Sequence, residues 1–207
     1  MSPAKSLTLG VVAALAAIAG LFAAQYWGTP QATELETGTL LREPRAMAEF
    51  RLQDSQGKAF DRSRFVGKWS LVFVGFTYCP DVCPSTLGLL KSLDEKLKAQ
   101  QLSLQTVFIS VDPQRDTLDK LDRYVHYFNP DFIGATGSSD QLDVLTQNLS
   151  LVYAKVPGSG PDDYTLDHSA ALVLINPQAQ VAAYFLPPHR LDAMSQDLAG
   201  LLKRSPS

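Results

Sequence analysis

Cys79 and Cys83 are the only cysteines in 207 residues, and they lie in Thr77-Tyr-Cys-Pro-Asp-Val-Cys-Pro84 with three residues between them. A thiolate is both the nucleophile of disulfide exchange and a ligand for soft metals. Two thiols this near in sequence fit a structural disulfide, a redox pair or two metal ligands, and the spacing by itself leaves all three open. Geometry disfavours the structural disulfide, because closing so short a loop constrains the unfolded chain little. The segment falls between the end of an expected strand and the start of an expected helix. Unpaired N–H groups and the helix dipole favour negative charge there and should promote the thiolate. The i, i+4 spacing predicts both sulfurs on one helical face, within reach of one ion.

Those cysteines need elements to hold them. Trp69 to Phe76 reads Trp-Ser-Leu-Val-Phe-Val-Gly-Phe, a short apolar run expected of a strand buried on both faces. After it, Pro84 suits a first helical position, and Leu87, Leu90, Leu93 and Leu97 predict a helix to about Ala99. Leu104 to Val111 is a second buried strand, so 69–111 reads as a β-α-β unit with a parallel pair. Leu118, Leu121, Val125 and Phe128 mark a helix stopped by Asn129-Pro130. Ser138 and Gln141 form a capping-box pattern before Leu142, Leu145 and Leu149. Ala171–Ile175 and Val181–Leu186 flank a turn at Asn176-Pro177 as a hairpin, and Leu191, Met194, Leu198 and Leu201 give a closing helix. This order predicts an α/β thioredoxin-like fold with an N-terminal extension over about 46–68 and an insertion between about 130 and 165. Fold alone does not give function, since the scaffold hosts several chemistries.

A third ligand would separate metal binding from redox chemistry. Of the three histidines, His126 falls inside a helix and His189 opens the last one, and neither is assigned a role. His168, in Leu166-Asp-His-Ser169, precedes the expected hairpin, on the loop that packs beside the active-site cysteines in this fold. Two thiolates and one imidazole make a soft three-coordinate set that suits Cu(I), and Cu(II) with an added weak ligand. Structural zinc would want four closed ligands. A blue-copper site is disfavoured because the three methionines, Met1, Met47 and Met194, do not follow a cysteine closely.

The N-terminus carries a different signal. From Ser6 to Thr33 there are 28 residues without a charge, and Leu7–Trp27 would span roughly 30 Å as a helix. Lys5 precedes this run and Glu34 and Glu36 follow it, so the positive-inside rule predicts a cytoplasmic N-terminus. The expectation is a single-pass anchor over 1–27 in a bacterial inner membrane, a linker over 28–45 and a periplasmic domain over 46–207. A signal peptide cleaved after Ala17-Ile-Ala19 is the alternative, and it exports the same domain. The chain has 18 basic and 21 acidic residues, a net charge of −3, and no Lys/Arg stripe, which argues against nucleic acid as a partner.

Three stretches, Gly75-Phe-Thr-Tyr-Cys-Pro-Asp-Val-Cys-Pro-Ser-Thr-Leu87, Val107-Phe-Ile-Ser-Val-Asp-Pro-Gln-Arg-Asp-Thr117 and Asp167-His-Ser169, closely resemble the signatures of the Sco/SenC family. The resemblance covers nearly all of the expected domain, in the same order, and includes the N-terminal anchor. It implies a thioredoxin-like metallochaperone that binds one copper through Cys79, Cys83 and His168. It further implies delivery of copper to, or reduction of the cysteines at, the dinuclear copper site of cytochrome c oxidase subunit II. A copper donor and a thiol reductant follow as partners. Asp112 and Asp81 match acidic positions of the motifs, with a place in the site's surroundings or in docking; Asp112-Pro113 reads equally well as a turn. No catalytic turnover is required of a carrier. The competing reading is a periplasmic thiol-disulfide oxidoreductase using Cys79 and Cys83 as its redox pair, with a peroxidase of the peroxiredoxin type as a weaker third.

Overall fold

The computed structural model describes residues 35–160 and 163–204, together with Ala16 and Gly20. From the N-terminal side the elements are β1 (Gly38–Ala46), β2 (Arg51–Asp54), β3 (Ala59–Asp61), a short 3-10 turn (Arg62–Phe65), β4 (Ser70–Gly75) and α1 (Val82–Lys98). There follow β5 (Gln105–Ser110), α2 (Leu118–Phe128), β6 (Ile133–Thr136) and α3 (Ser139–Asn148). The chain continues with β7 (Tyr153–Pro157), β8 (Tyr164–His168), β9 (Leu172–Ile175), β10 (Gln180–Phe185) and α4 (Leu191–Arg204).

Eight strands form one sheet in the order β1-β10-β9-β4-β5-β6-β2-β3, and β7 pairs only with β8 in a separate ribbon. β4, β5 and β6 run parallel, while β9 is antiparallel to β4. All six residues of β4 are buried, as are five of the six in β5, which explains their near-continuous apolar sequences. The core runs through Leu71, Phe73, Val107, Phe108, Leu172 and Leu174, and Leu87, Leu90, Leu93 and Leu97 of α1 are buried beside it. The expected β-α-β unit, the α2 helix, the terminal hairpin and the closing helix all form.

Several expectations need correction. The stretch expected as linker up to residue 45 contains most of β1, which pairs with β10 through Gly38–Phe185 and Leu40–Ala183 and then shifts register before Arg45. Its charges and Pro44 hide a strand in the sequence, yet they suit an edge strand, where one side makes no ladder bonds. The 130–165 insertion is partly sheet: β6 continues the parallel ladder and β7–β8 build the ribbon. Pro84 sits third in α1 rather than first, still among the helical residues whose N–H has no intrahelical partner. Ser138 caps α3 by position without a side-chain bond, and Gln141 spends its Oε1 on the Arg51 N–H of β2 at 2.7 Å, so the capping box does not form.

The expected single-pass placement in a bacterial inner membrane is also corrected. Among the described residues no helix is long and apolar enough to cross a membrane. Crossing takes about 20 consecutive apolar residues. The longest described helix, α1, has 17 and carries Lys91, Asp94, Glu95, Lys96 and Lys98. The apolar run 7–27 lies outside the described residues apart from Ala16 and Gly20, which are helical.

Candidate metal centre

β4 ends at Gly75, and the chain turns so that the Cys79 N–H donates to the Phe76 carbonyl at 3.2 Å. α1 begins at Val82, which puts Cys83 in its first turn and Cys79 ahead of the helix. The sulfurs therefore meet through a turn and a helix start, not across one helical turn. The Cys83 N–H donates to Cys79 Sγ at 3.4 Å, so a backbone donor of the helix N-terminus does face one sulfur. Gly75 makes room for the other: a Cβ there would lie 2.5 Å from Cys83 Sγ and 2.9 Å from the Phe108 ring.

His168 closes the group. It is the last residue of β8, and its Nε2 lies 3.4 Å from Cys83 Sγ. One ligand atom from each of Cys79, Cys83 and His168 falls within 4.8 Å of the others. His168 Nδ1 lies 3.2 Å from the Ser169 carbonyl. A carbonyl only accepts, so Nδ1 carries the proton and Nε2 offers its lone pair to the thiols, the arrangement that orients imidazole ligands in metal sites. Phe73 and Phe76 meet the imidazole edge-on, each with centroids 5.9 Å away. The structure thus brings together all three residues singled out from sequence. Cys79 and His168 border a shallow cleft of about 270 Å³ lined also by Pro80, Asp81, Val82 and Thr165, with Cys83 buried behind it.

Burial sets the electrostatics. Cys83 is fully buried and Cys79 is 9% exposed. Desolvation pushes the Cys83 thiol well above its ordinary range, outweighing a backbone hydrogen bond at Phe76 that pulls the other way. This corrects the expectation that the helix start favours thiolate at both cysteines: at Cys83 the loss of water dominates, and a cation must supply what the dipole does not. Burial also lowers the His168 pKa below its ordinary 6.5, against the smaller opposing effects of Ser169 and Asp167, which keeps the ring neutral near pH 7.

Sequence reasoning missed the groups that hold this turn. Asp116 is fully buried and accepts from the Thr77 N–H at 2.8 Å, the Thr77 hydroxyl and the Ser110 hydroxyl at 2.6 Å, with Lys120 Nζ 3.6 Å away. Thr77 stands two residues before Cys79, so Asp116 braces the cysteine turn from β5's far end. Asp112 does open a turn, its carbonyl accepting from the N–H groups of Arg115 and Asp116. Its buried carboxylate also accepts from Arg115 Nε and from the Tyr164 hydroxyl at 2.7 Å. It lies outside the three-donor cluster. Asp81 is exposed at the cleft and gives α1 no side-chain cap. His126 pairs with Asp122 on α2, and His189 Nε2 donates to the Ala170 carbonyl at 3.0 Å; neither joins the cluster. The place of Asp116 inside the recognised 107–117 stretch was the available signal, but its partners are set only by the fold.

The class defined by this scaffold and site is a thioredoxin-like α/β domain with two cysteines and a histidine converging at one end of its central strands. The sequence model of the SCO1/SenC family matches residues 39–203, and the chain belongs to that family. The mitochondrial SCO2 homolog of Mus musculus is 37% identical over 163 residues, 78% of this chain and 62% of that protein, so the chain spans less than two thirds of that relative's length. Apo Sco1 from Thermus thermophilus, solved in solution, is 37% identical with a TM-score of 0.73, covering 83% of this chain and 99% of that one. Arabidopsis thaliana ScoI, crystallised with copper bound, is 31% identical with a TM-score of 0.72, covering 77% and 99%.

Proposed function

We propose that this protein is a copper metallochaperone in which Cys79, Cys83 and His168 hold one copper ion as cargo, within a domain formed by the matched residues 39–203. The strongest support is the convergence of two sulfurs and one imidazole nitrogen within 4.8 Å, a donor set whose softness suits copper. Among relatives of the same family, Arabidopsis ScoI was solved with copper bound. Loading needs both sulfurs deprotonated, so uptake releases thiol protons, and the neutral His168 ring adds its lone pair without a proton to lose. Release follows by ligand exchange with a recipient. The recipient is the dinuclear copper site of cytochrome c oxidase subunit II, either as copper acceptor or as a pair of cysteines to be kept reduced. A copper donor and a thiol reductant complete the partners.

A second reading has its own observation. Cys79 is the less buried sulfur and receives the Cys83 N–H, whereas Cys83 lies beneath it. In an oxidoreductase, the Cys79 thiolate would attack a partner disulfide and expel one partner thiolate. The Cys83 thiolate would then attack the Cys79 sulfur of the mixed disulfide and expel the second partner thiolate, leaving a Cys79–Cys83 disulfide and a reduced partner. Anaerobic copper titration of the reduced protein separates the two. One copper per chain, with binding weakened by Cys79→Ser, Cys83→Ser and His168→Ala alike, is the expected result. Absence of binding, with rapid disulfide exchange retained, would leave the oxidoreductase reading in its place.

A further inference from the structure

Five side chains alternate between cation and aromatic ring along one edge of the site. Lys155 Nζ lies 3.6 Å from the Tyr164 ring centroid, and the guanidinium carbon of Arg115 lies 3.5 Å from the same centroid. Arg115 also sits 4.9 Å from the Tyr78 centroid and 5.8 Å from that of Phe76, and Lys120 Nζ lies 3.2 Å from Tyr78. A cation over a ring face is attracted by the ring's quadrupole, more strongly where water is excluded. The middle rung is fixed further: Arg115 donates through Nη1 to the Tyr164 carbonyl at 2.9 Å and through Nε to Asp112, which also accepts from the Tyr164 hydroxyl.

The ladder joins two pieces of chain that backbone pairing leaves apart. Tyr164 begins β8 and His168 ends it, and the β7–β8 ribbon shares no ladder hydrogen bonds with the main sheet. Tyr78 immediately precedes Cys79, and Phe76 meets the His168 ring. Arg115 therefore touches the strand that carries the imidazole and the turn that carries the sulfurs. We infer that Arg115 is a positioning residue for copper: by bridging Tyr164 to Tyr78 and Phe76, it sets where His168 meets the two thiols. This rests on the copper reading above, and Arg115 itself touches none of the three donors.

The test uses Arg115→Ala, Arg115→Lys, His168→Ala and the Arg115→Ala/His168→Ala double variant in the full-length protein. In the apo-protein, nuclear Overhauser contacts between the His168 ring and the rings of Phe73 and Phe76 are expected in the wild type, weakened in Arg115→Lys and lost in Arg115→Ala. In anaerobic copper titration, Arg115→Ala should bind about ten- to hundredfold more weakly, the range for groups that orient a ligand. The double variant should then be no weaker than His168→Ala alone, because Arg115 acts through the imidazole. Intact ring contacts in Arg115→Ala, or losses of affinity that multiply in the double variant, would overturn the inference. Absence of copper binding by the wild type would sink the copper reading, while the apo ring contacts would still decide the positioning role. Should Arg115→Ala not fold, Arg115→Lys decides through the same contacts, and an unchanged pattern there counts against it.

Discussion

The site has two halves with unlike foundations. Both cysteines hang from β4, in the interior of an eight-stranded sheet, with Asp116 bracing the turn and Gly75 clearing space for a sulfur. The histidine ends a two-stranded ribbon whose partner strand is exposed from Ala154 to Pro157. The ribbon is tied down by the buried Leu166 and by polar and cation-ring contacts of Tyr164. The contrast teaches that damage to the cysteine half should cost both stability and metal, whereas damage to the histidine half should cost metal and leave the domain standing.

The largest expected effect is that of Asp116→Ala. It strips the acceptor from three donors, the Ser110 hydroxyl among them buried, and leaves Lys120 without its buried partner, so unfolding should become easier by about 3 kcal/mol. Urea denaturation measures this, and a loss within error would mean the turn does not depend on that carboxylate. Next comes Gly75→Ala, whose new methyl collides with Cys83 Sγ and Phe108. A cost of about 1–3 kcal/mol, together with loss of copper uptake, is expected from overpacking. Normal copper titration in that variant would show that the sulfur can move aside at no cost.

On the other half, His168→Ala should weaken copper binding while changing unfolding by only about 1 kcal/mol or less, since the ring is half-buried against Phe73 and Phe76. A large loss of stability there would erase the contrast between the halves. The smallest effect is on pH. Burial lowers the folded-state pKa of both His168 and His189 below 6.5, so below that value the unfolded chain takes up more protons than the folded one. Their contribution to stability is complete above pH 6.5 and is lost as pH falls through the depressed folded values. Urea midpoints taken from about pH 7.5 to about pH 5.5 should fall. His189→Gln should flatten part of that fall without affecting copper binding.

The cysteine half was the more legible in sequence, for physical reasons. A strand buried on both faces writes itself as an apolar run, and the helix after it repeats leucine at helical intervals. Cys79, Cys83 and His168 stood out through residue type and place in the expected order of elements. The ribbon and β6 did not, because Tyr-Ala-Lys-Val-Pro157 shows no regular alternation and Ile-Gly-Ala-Thr136 is too short to have a period. β1 was masked by Arg42, Glu43, Pro44 and Arg45. Arg115 and Asp116 lay within a recognised motif, but what each touches is 39 to 49 residues away in sequence at Thr77 and Tyr164, a pairing that only tertiary structure creates.

Graded depth gives the three donors a sequence in time. An incoming thiol from a recipient meets the half-buried imidazole and the slightly exposed sulfur of Cys79 before it can reach Cys83, which has no exposed surface at all. On the copper-carrier reading, unloading should accordingly proceed from the rim inward, with Cys83 as the last bond to break. A recipient that never displaced Cys83 would then remain tethered through the metal, so on that reading the depth of one sulfur would govern how long donor and acceptor stay joined.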